Sequence, residues 1–167
     1  MKIRTEVEAD REAVYALNRA AFESDVEADL VNALRSQADP LISLVAEEAG
    51  EIIGHILFSP TTLSSDSEIS VIGLGPMAVL PGRQRQGVGS ALIQAGLEAC
   101  KNLGYQAVFV LGHPQYYPRF GFVPASRYSI SSAYEVADEV FMAFELMPGA
   151  LNGKAGKMHY HPAFDGL

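Results

Sequence analysis

The stretch Pro81-Gly-Arg-Gln-Arg-Gln-Gly-Val-Gly-Ser-Ala-Leu92 decides how this sequence should fold. Before it, residues 69–79 are apolar and partly β-branched, which predicts a strand that ends at the Pro-Gly pair. After it, apolar residues recur every three or four positions as far as Gly104, which predicts an amphipathic helix closed by that glycine. The stretch is therefore predicted to be the turn between a strand and a helix.

Gly87 and Gly89 should lie at the start of that helix. The first backbone N–H groups of a helix have no intrahelical partner, and the helix dipole is positive at this end. Glycine also lets an anion approach the main chain closely, because it has no Cβ. We therefore expect the turn to bind phosphate, with Arg83 and Arg85 adding positive charge to an otherwise acidic chain.

Two familiar nucleotide-binding motifs do not fit the sequence. A P-loop requires Gly, four residues and then Gly-Lys-Ser/Thr, and no such run occurs. A dinucleotide-binding turn at Gly87-Val-Gly89 would lack its third small residue, because Leu92 stands at that position. The run Gly73-Leu-Gly75-Pro-Met-Ala78 matches the residue pattern of the dinucleotide-binding motif, but Pro81 prevents a long helix from following it. We interpret the glycines of that run as a kink or bulge in the strand.

The pattern Gln84-x-x-Gly87-x-Gly89 resembles the Gln/Arg-x-x-Gly-x-Gly/Ala signature of the GNAT superfamily of acyl-CoA-dependent N-acetyltransferases. A second segment follows at the expected distance, where a strand at 107–111 precedes Tyr116-Tyr117-Pro-Arg-Phe-Gly-Phe122. This segment resembles the family's Tyr-x-x-x-Gly-Phe, with Tyr117, Gly121 and Phe122 on the matching positions. The longer form Gly-His-Pro-x-Tyr-Tyr-x-Arg-Phe-Gly-Phe is similar to a small bacterial branch of the superfamily, the YhbS-like proteins.

The resemblance implies the GNAT fold. This is an α/β (α+β) architecture with a central mixed, mostly antiparallel sheet that is flanked by helices and splays between strands 4 and 5. The hydrophobic periods elsewhere agree with it. They predict a strand at 3–6, a helix at 11–22, a second helix after the capping box Ser24-Asp-Val-Glu27, and a hairpin of strands at 41–49 and 51–58. The predicted order of elements is β, α, α, β, β, β, α, β, α, β, β.

We predict one N-acetyltransferase domain over residues 1–167, since no repeat or long linker divides the sequence. Residues 149–167 form a glycine-containing C-terminal extension. We expect residues 157–164 to dock as a final extended segment, and a contact between the protomers of a homodimer is the alternative.

The acidic balance of the sequence excludes some partners. A formal net charge of −8 argues against nucleic acid or an anionic membrane as the partner, because the field of the protein would repel either. The same field favours a cationic amine as acceptor. No apolar run approaches the roughly eighteen residues of a membrane-spanning helix, and the first residues suggest a strand rather than a signal peptide. With one cysteine, Cys100, we expect a cytoplasmic protein with a buried thiol.

The resemblance implies acetyl-CoA as the co-substrate. It also implies that the helix-start amides hold the pyrophosphate and that the end of the fourth strand pairs with the pantetheine amides. The residues on the matching positions are Met77, Ala78 and Val79 in the strand, Gln84 at the first signature position, and Arg85, Gln86, Gly87, Val88, Gly89 and Ser90 at the helix start. Plain core packing is the alternative for Met77 and Val79.

Acetyl transfer to an amine needs a neutral amine, an electrophilic carbonyl and a proton for the departing thiolate. Tyr117 matches the family tyrosine that supplies this proton, and packing among neighbouring aromatic residues is the alternative. Two histidines, His55 and His113, are candidate proton relays near neutral pH. His159 and His161 fall on one side of an extended segment, but no third ligand is identifiable, so we predict no metal.

The sequence identifies the general base less clearly than the proton donor. Residues 69–79 offer no carboxylate, although the family often takes a glutamate from this strand. Glu27 is an alternative base or substrate ligand, within a cluster that includes Glu23, Asp25 and Asp29. Capping of the second helix competes as an explanation for these residues.

Two classes of function follow from these observations. The first is an enzyme that moves an acetyl group from acetyl-CoA to a primary amine of a small molecule or protein, by direct attack in a ternary complex. The second is a non-catalytic acyl-CoA-binding module that serves regulation or interaction. An open acidic cleft beside Tyr117 would favour the enzyme, and a plugged cleft would favour the module.

Overall fold

A mixed β-sheet with helices on both faces forms the framework of the protein in a computed structural model, which describes residues 1–166. The strands are β1 (Lys2–Thr5), β2 (Ile42–Glu48), β3 (Glu51–Leu63), β4 (Val71–Val79), β5 (Ala107–Leu111), β6 (Val123–Pro124), β7 (Ile130–Ser132), β8 (Phe141–Glu145) and β9 (Gly156–Tyr160). The α-helices of this part of the chain are α1 (Arg11–Phe22), α2 (Val26–Gln37) and α3 (Val88–Asn102). None of these helices is both long and apolar enough to cross a bilayer. Leu167, the last residue of the predicted domain, lies outside the described residues.

The sheet follows the order β1-β2-β3-β4-β5-β8-β6, with a parallel β4–β5 pair among antiparallel neighbours. This is the mixed, mostly antiparallel sheet that the family resemblance implied. The β4–β5 pairing ends at Leu74 and Val110. Beyond Leu74, no strand among residues 1–166 pairs with this side of β4, so the two strands splay apart as predicted.

A β-bulge lies at the point where β4 and β5 separate. The register between β3 and β4 shifts so that Gly75 and Pro76 stand opposite the single β3 residue Leu57. A bulge bends the strand and leaves backbone groups unpaired, which re-aims the following residues. The interpretation of Gly75 as a bulge is confirmed. Gly73 instead permits close packing, because a Cβ there would lie 2.8 Å from Tyr160 Cε1.

Helix α3 covers one face of the sheet, and α1 and α2 cover the other. Successive β3 side chains alternate between these layers: Phe58 packs against α3, whereas Leu57 packs with Val14 of α1. The Phe58 ring lies so close to α3 that a Cβ on Gly96 would collide with it. Cys100 is buried in this same layer, and burial raises its thiol pKa to about 12. The prediction of a buried thiol is confirmed.

The start of α2 differs from the prediction, although α1 has the predicted bounds. Helix α2 begins at Val26 with Asp25 as its N-cap, whereas the capping box required Ser24 at that position. The Ser24 hydroxyl instead accepts the Val26 N–H at 3.1 Å. Glu27 then occupies the second helical position, from which it is not in register to close a capping box. The capping-box prediction is wrong, and the Glu27 side chain is released for another role.

The α-helix predicted after β5 is also wrong, because the described residues contain only a 3₁₀ turn, Tyr117–Phe120, at this place. Pro118 lies in the first turn, where proline is tolerated, so it does not by itself stop a helix. Gly121 takes a left-handed φ of +100°, which ends the turn.

The C-terminal extension joins the sheet. Strand β9 pairs antiparallel with residues 61–63 of β3 and parallel with β7. Strand β3 continues to Leu63 to meet it, past the predicted end at residue 58. A 3₁₀ turn, Pro162–Gly166, then approaches α2. The expectation of a docked extended segment is confirmed, while the homodimer contact stays a prediction.

Candidate functional site

The turn between β4 and α3 presents the start of a long helix. Gly87 is the N-cap, with a φ of +86°, and its carbonyl accepts the Ala91 N–H at 3.0 Å. Arg85 also takes a positive φ of +63°. Gln84 ties the turn to β4, because its Nε2 donates to the Val79 carbonyl at 3.2 Å. The unpaired N–H groups of the first helical turn therefore lie beside the end of β4.

This helix start borders a cleft of ≈ 780 Å³, which we call the glycine cleft. Its lining residues are Met77, Val79, Arg83, Gln84, Arg85, Gly87, Val88, Gly89, Ser90, His113, Tyr116 and Arg119. Three of these described residues are arginines, and none is a carboxylate. Arg83 pairs with Glu48, whereas the Arg119 guanidinium carbon lies 5.2 Å from the Tyr116 ring centroid. The glycine cleft is locally positive within an acidic protein, which suits an anionic ligand such as phosphate.

Most of the predicted cofactor-binding residues line the glycine cleft, and two do not. Met77 and Val79 line it, while Ala78 between them is buried on the opposite face of β4, as alternation along a strand requires. The Gln86 side chain turns back to contact the Gly82 carbonyl. The other residues placed on the cleft are Gln84, Arg85, Gly87, Val88, Gly89 and Ser90. Their role in binding stays a prediction.

Positions 87 and 89 of the turn are glycines for different physical reasons. A Cβ on Gly89 would lie 2.9 Å from Tyr116 Oη, 3.6 Å from Met77 Cε and 3.8 Å from Val79 Cγ2. The close approach of these side chains to the backbone therefore explains the glycine at position 89. Gly87 has open space around it but takes a positive φ, which L side chains rarely adopt.

A second cleft, of ≈ 450 Å³, lies between α1, α2 and the ends of β4 and β5. We call it the aromatic cleft. Its lining residues are Phe22, Glu27, Leu30, Leu74, Gly75, Pro76, Met77, Val110, Leu111, Gly112, His113, Tyr116, Tyr117, Tyr160 and Phe164. They come from α1 and α2, the β4 bulge, the end of β5 with its following loop, and the C-terminal extension.

The two clefts meet at the place where β4 and β5 separate. They share Met77, His113 and Tyr116. At this junction residues 75–79 of β4 have β3 on one side and no paired strand of the described chain on the other. An extended, peptide-like molecule in the glycine cleft has a free strand edge to pair with, and its end would then reach the aromatic cleft.

Tyr117 forms part of the aromatic cleft and is only 7% exposed. Its ring packs on Gly112 and edge-on against Tyr116 and Phe122, at centroid distances of 5.3 Å and 5.6 Å. Burial, with a smaller contribution from Tyr116, raises the pKa of Tyr117 to about 12. The phenol therefore keeps its proton at neutral pH, as a proton donor must.

Glu27 is the only carboxylate among the described residues that line the aromatic cleft. Its Oε1 is buried and accepts a hydrogen bond from no residue in 1–166. Two other members of the predicted acidic cluster have partners elsewhere. Asp25 pairs with Arg19, and Asp29 accepts a hydrogen bond from the Tyr15 hydroxyl at 2.8 Å. Within that cluster, Glu27 alone reaches the cleft.

The two candidate proton relays, His113 and His55, lie in different surroundings. His113 lines both clefts. His55 is fully buried, with Nε2 2.9 Å from Ser43 Oγ and Nδ1 3.5 Å from Asn18 Nδ2. Burial, aided by the charge of Arg35, lowers the pKa of His55 to about 3. The hypothesis that His55 relays a proton is wrong, because it lies in neither cleft and stays neutral at pH 7.

The C-terminal histidines serve no metal cluster in the described chain. His161 Nδ1 accepts the Ala163 N–H at 3.0 Å. No group of three or more His, Cys, Asp or Glu side chains within residues 1–166 is arranged to hold a metal ion.

Sequence patterns did not indicate many of the lining residues, among them five that have aromatic or charged side chains. Phe22, Tyr160 and Phe164 reach the aromatic cleft only through tertiary packing, and no local pattern marks them. Tyr116 and Arg119 lie inside the aromatic motif next to Tyr117. A second phenol and a cation beside a proposed proton donor were the signal that could have identified them.

An open sheet that splays at its parallel pair, with a glycine turn at the splay, defines the class of protein. The model of the acetyltransferase (GNAT) family matches residues 11–122. The chain belongs to this family.

Individual relatives resemble the chain over most of its length. YhbS of Escherichia coli, an uncharacterized N-acetyltransferase, is 36% identical over 166 residues, which cover 99% of each protein. YjhQ of the same organism, also an uncharacterized N-acetyltransferase, is 40% identical over 121 residues, covering 71% of this chain and 67% of YjhQ.

Two solved structures share the fold closely. The E. coli YhbS structure, in complex with CoA, superimposes with a TM-score of 0.93 at 35% identity, covering 98% of this chain and 91% of that one. A GNAT acetyltransferase from Brucella melitensis, in complex with acetyl-CoA, gives a TM-score of 0.81 at 35% identity and covers 98% and 97% of the two chains.

Proposed function

We propose that the protein transfers the acetyl group of acetyl-CoA to a primary amine of a small molecule or protein, with both substrates bound at once. The junction of the glycine and aromatic clefts beside the free edge of β4 is the observation that carries this proposal. Acetyl-CoA lying along the glycine cleft would end at the junction, and the amine would arrive from the aromatic cleft. Two separate entrances to one point suit a ternary complex, because neither substrate blocks the other.

The glycine cleft has the features that acetyl-CoA requires. The first amides of α3 would bind the pyrophosphate, and Arg85 and Arg119 would add counter-charge. The free edge of β4 would pair with the pantetheine arm, as a strand pairs with an added strand. The CoA and acetyl-CoA complexes of the E. coli and Brucella relatives support the same assignment.

Direct attack accounts for every proton. The amine nitrogen attacks the thioester carbonyl carbon, the carbon–sulfur bond breaks, and the thiolate sulfur takes a proton from the Tyr117 hydroxyl. Glu27 and His113 line the aromatic cleft and are the candidate groups that remove the proton from the ammonium form of the acceptor. The nitrogen loses a second proton when the tetrahedral intermediate collapses to the amide. One of the two protons returns to Tyr117 through solvent and the other is released as H⁺, which completes the cycle.

A non-catalytic acyl-CoA-binding module is the alternative function. A plugged acceptor cleft would favour it, whereas the aromatic cleft keeps ≈ 450 Å³ of space next to a protonated phenol. The open cleft therefore supports the enzyme. We also propose a cytoplasmic location, with which the single buried thiol of Cys100 is compatible.

The test combines binding with turnover. Acetyl-CoA at a hundred times its dissociation constant should stabilise the fold by about 2.7 kcal/mol, and NAD should not. A panel of amines is then screened by release of free thiol, and both substrates are varied for the best amine. Intersecting double-reciprocal lines are expected for a ternary complex, and parallel lines would contradict direct attack. Tight acetyl-CoA binding without turnover of any amine would favour the module.

A further inference from the structure

The charges around the aromatic cleft define what its ligand carries. Glu27 presents one buried carboxylate oxygen that no described residue satisfies. The described lining contains neither lysine nor arginine. A buried carboxylate is costly unless a cation or another donor hydrogen-bonds to it. A ligand with one ammonium group meets this need, whereas a ligand carboxylate would be repelled by Glu27 and would find no lysine or arginine in the described lining.

The remaining wall of the aromatic cleft defines the body of the ligand. The rings of Phe22, Tyr160 and Phe164 line it together with aliphatic residues such as Leu30. The Tyr160 and Phe164 ring centroids lie 5.0 Å apart, so these two rings form one continuous surface. Phe22 is 38% exposed although it is apolar. A flat apolar body in the cleft would remove this surface from water and pack against the rings.

We infer that the acceptor is a small primary amine on a compact aromatic body without a carboxylate, and that Glu27 holds its ammonium group. This inference rests on the proposed function, because it takes the aromatic cleft as the acceptor site. The apolar walls select the body of the amine, and Glu27 selects its charge. Phe22, Tyr160 and Phe164 are then specificity-determining residues.

A lysine side chain of a protein shares the terminal ammonium but fits the cleft less well. Its methylene stem is narrow and covers little of the surface that Phe22, Tyr160 and Phe164 present. The described lining therefore favours a small aromatic amine over a protein acceptor.

Binding to the CoA-saturated protein tests the inference without turnover, because free CoA carries no acetyl group. Isothermal calorimetry compares four ligands: 2-phenylethylamine, phenylalanine, ethanolamine and a short peptide with one lysine and blocked ends. Phenylalanine adds a carboxylate to the first ligand, and ethanolamine removes its ring. We expect 2-phenylethylamine to bind at least about tenfold more tightly than each of the other three.

Variants assign the selection to particular side chains. Glu27→Gln should weaken 2-phenylethylamine binding by at least about tenfold, because the desolvated charge pair is lost. Glu98→Gln is the matched control, since it removes the same charge from an exposed position of α3. Phe22→Ala should weaken the same ligand by about threefold to tenfold and leave ethanolamine unchanged. Leu103→Ala, at a position that is 66% exposed, is the control for losing a surface apolar group.

The outcomes separate this inference from the proposed function. Selective binding of 2-phenylethylamine that depends on Glu27, without any acetyl transfer, would uphold the inference and overturn the proposed enzyme. Acetyl transfer with phenylalanine, ethanolamine or the lysine peptide preferred would uphold the enzyme and overturn the inference. Failure of all four ligands to bind would overturn it as well. Unchanged melting temperature and acetyl-CoA affinity in the variants exclude misfolding as the cause of a loss.

Discussion

Replacement of Tyr117 by phenylalanine tests the proposed proton donor with the smallest change in structure. The ring and its contacts with Gly112, Tyr116 and Phe122 remain, so the fold and the affinity for acetyl-CoA should change little. Because burial raises the pKa of Tyr117 to about 12, only roughly 10⁻⁵ of this phenol is ionised at pH 7. The native residue is therefore fully available as an acid.

The magnitude of the expected loss follows from the role of an acid. General acids contribute about 10²–10⁴ to a rate, and a good leaving group such as a thiolate places this case near the lower end. A loss of about 10² in kcat corresponds to about 2.7 kcal/mol in the barrier. It should appear in kcat as much as in kcat/KM, because the hydrogen bond strengthens in the transition state.

The assay measures thiol release at saturating acetyl-CoA with the best amine of the panel. Tyr105→Phe is the control, since this partly buried phenol lines neither cleft. In the native protein Tyr117 stays protonated up to about pH 10, so its own titration should not lower kcat on the alkaline side below that pH. A Tyr117→Phe kcat within about threefold of the native value would refute the reasoning. A larger loss in Tyr116→Phe would transfer the acid role to the phenol that lines both clefts.

Two further substitutions test the helix start and the buried histidine. Gly89→Val should weaken acetyl-CoA binding by more than about tenfold without unfolding the protein, because the added atoms meet Tyr116 Oη beside the first amides of α3. Gly82→Val, where a Cβ meets open space, should bind normally, and equal affinities in calorimetry would contradict the prediction. For His55, the unfolded chain takes up a proton near pH 6.5 but the folded protein does so only near pH 3, so stability should fall as the pH falls through this window, by up to about 1.4 kcal/mol per pH unit. Urea unfolding of His55→Gln should show a shallower pH slope, and an unchanged slope would count against burial as the cause.

Elements defined by local pattern could be predicted from the sequence. Helix α1 has the bounds that its apolar period indicated, and α3 begins directly after Gly87. Gly75 in a bulge of β4 also followed from the local pattern, whereas the splay between β4 and β5 was implied only by the family resemblance. These features depend on residues close together in the chain, whose periodicity and backbone freedom are visible in a single sequence.

Elements defined by distant partners could not be predicted in the same way. Strand β3 runs through Pro60 to Leu63, although proline within a run normally argues against a continuing strand. Beyond Phe58, β3 no longer pairs with β2, and its last residues pair with β9 of the C-terminal extension. No local sequence pattern predicts that a strand pairs with a segment so far along the chain. For the same reason Tyr160 and Phe164, which line the aromatic cleft as part of that extension, could not be predicted as lining residues.

Glu27 shows how one shifted residue changes a functional assignment. The sequence placed it at the third position of α2, where capping would occupy its carboxylate. The helix instead uses Asp25 as its N-cap, which moves Glu27 to the second position and its side chain to the cleft. Helix boundaries are the least certain part of a pattern-based prediction because neighbouring polar residues compete for the cap.

The two clefts differ in what they are made of, and in the proposed reaction this difference separates the choice of cofactor from the choice of acceptor. The glycine cleft depends on backbone groups within one short segment, 81–92, and on the free edge of β4. The aromatic cleft depends on side chains from distant parts of the chain, among them Phe22, Glu27 and Phe164. A substitution in these side chains changes the shape or charge of one wall and leaves the helix start intact. The fold can therefore keep one acyl donor while the acceptor changes, because backbone geometry fixes the first and side-chain identity fixes the second.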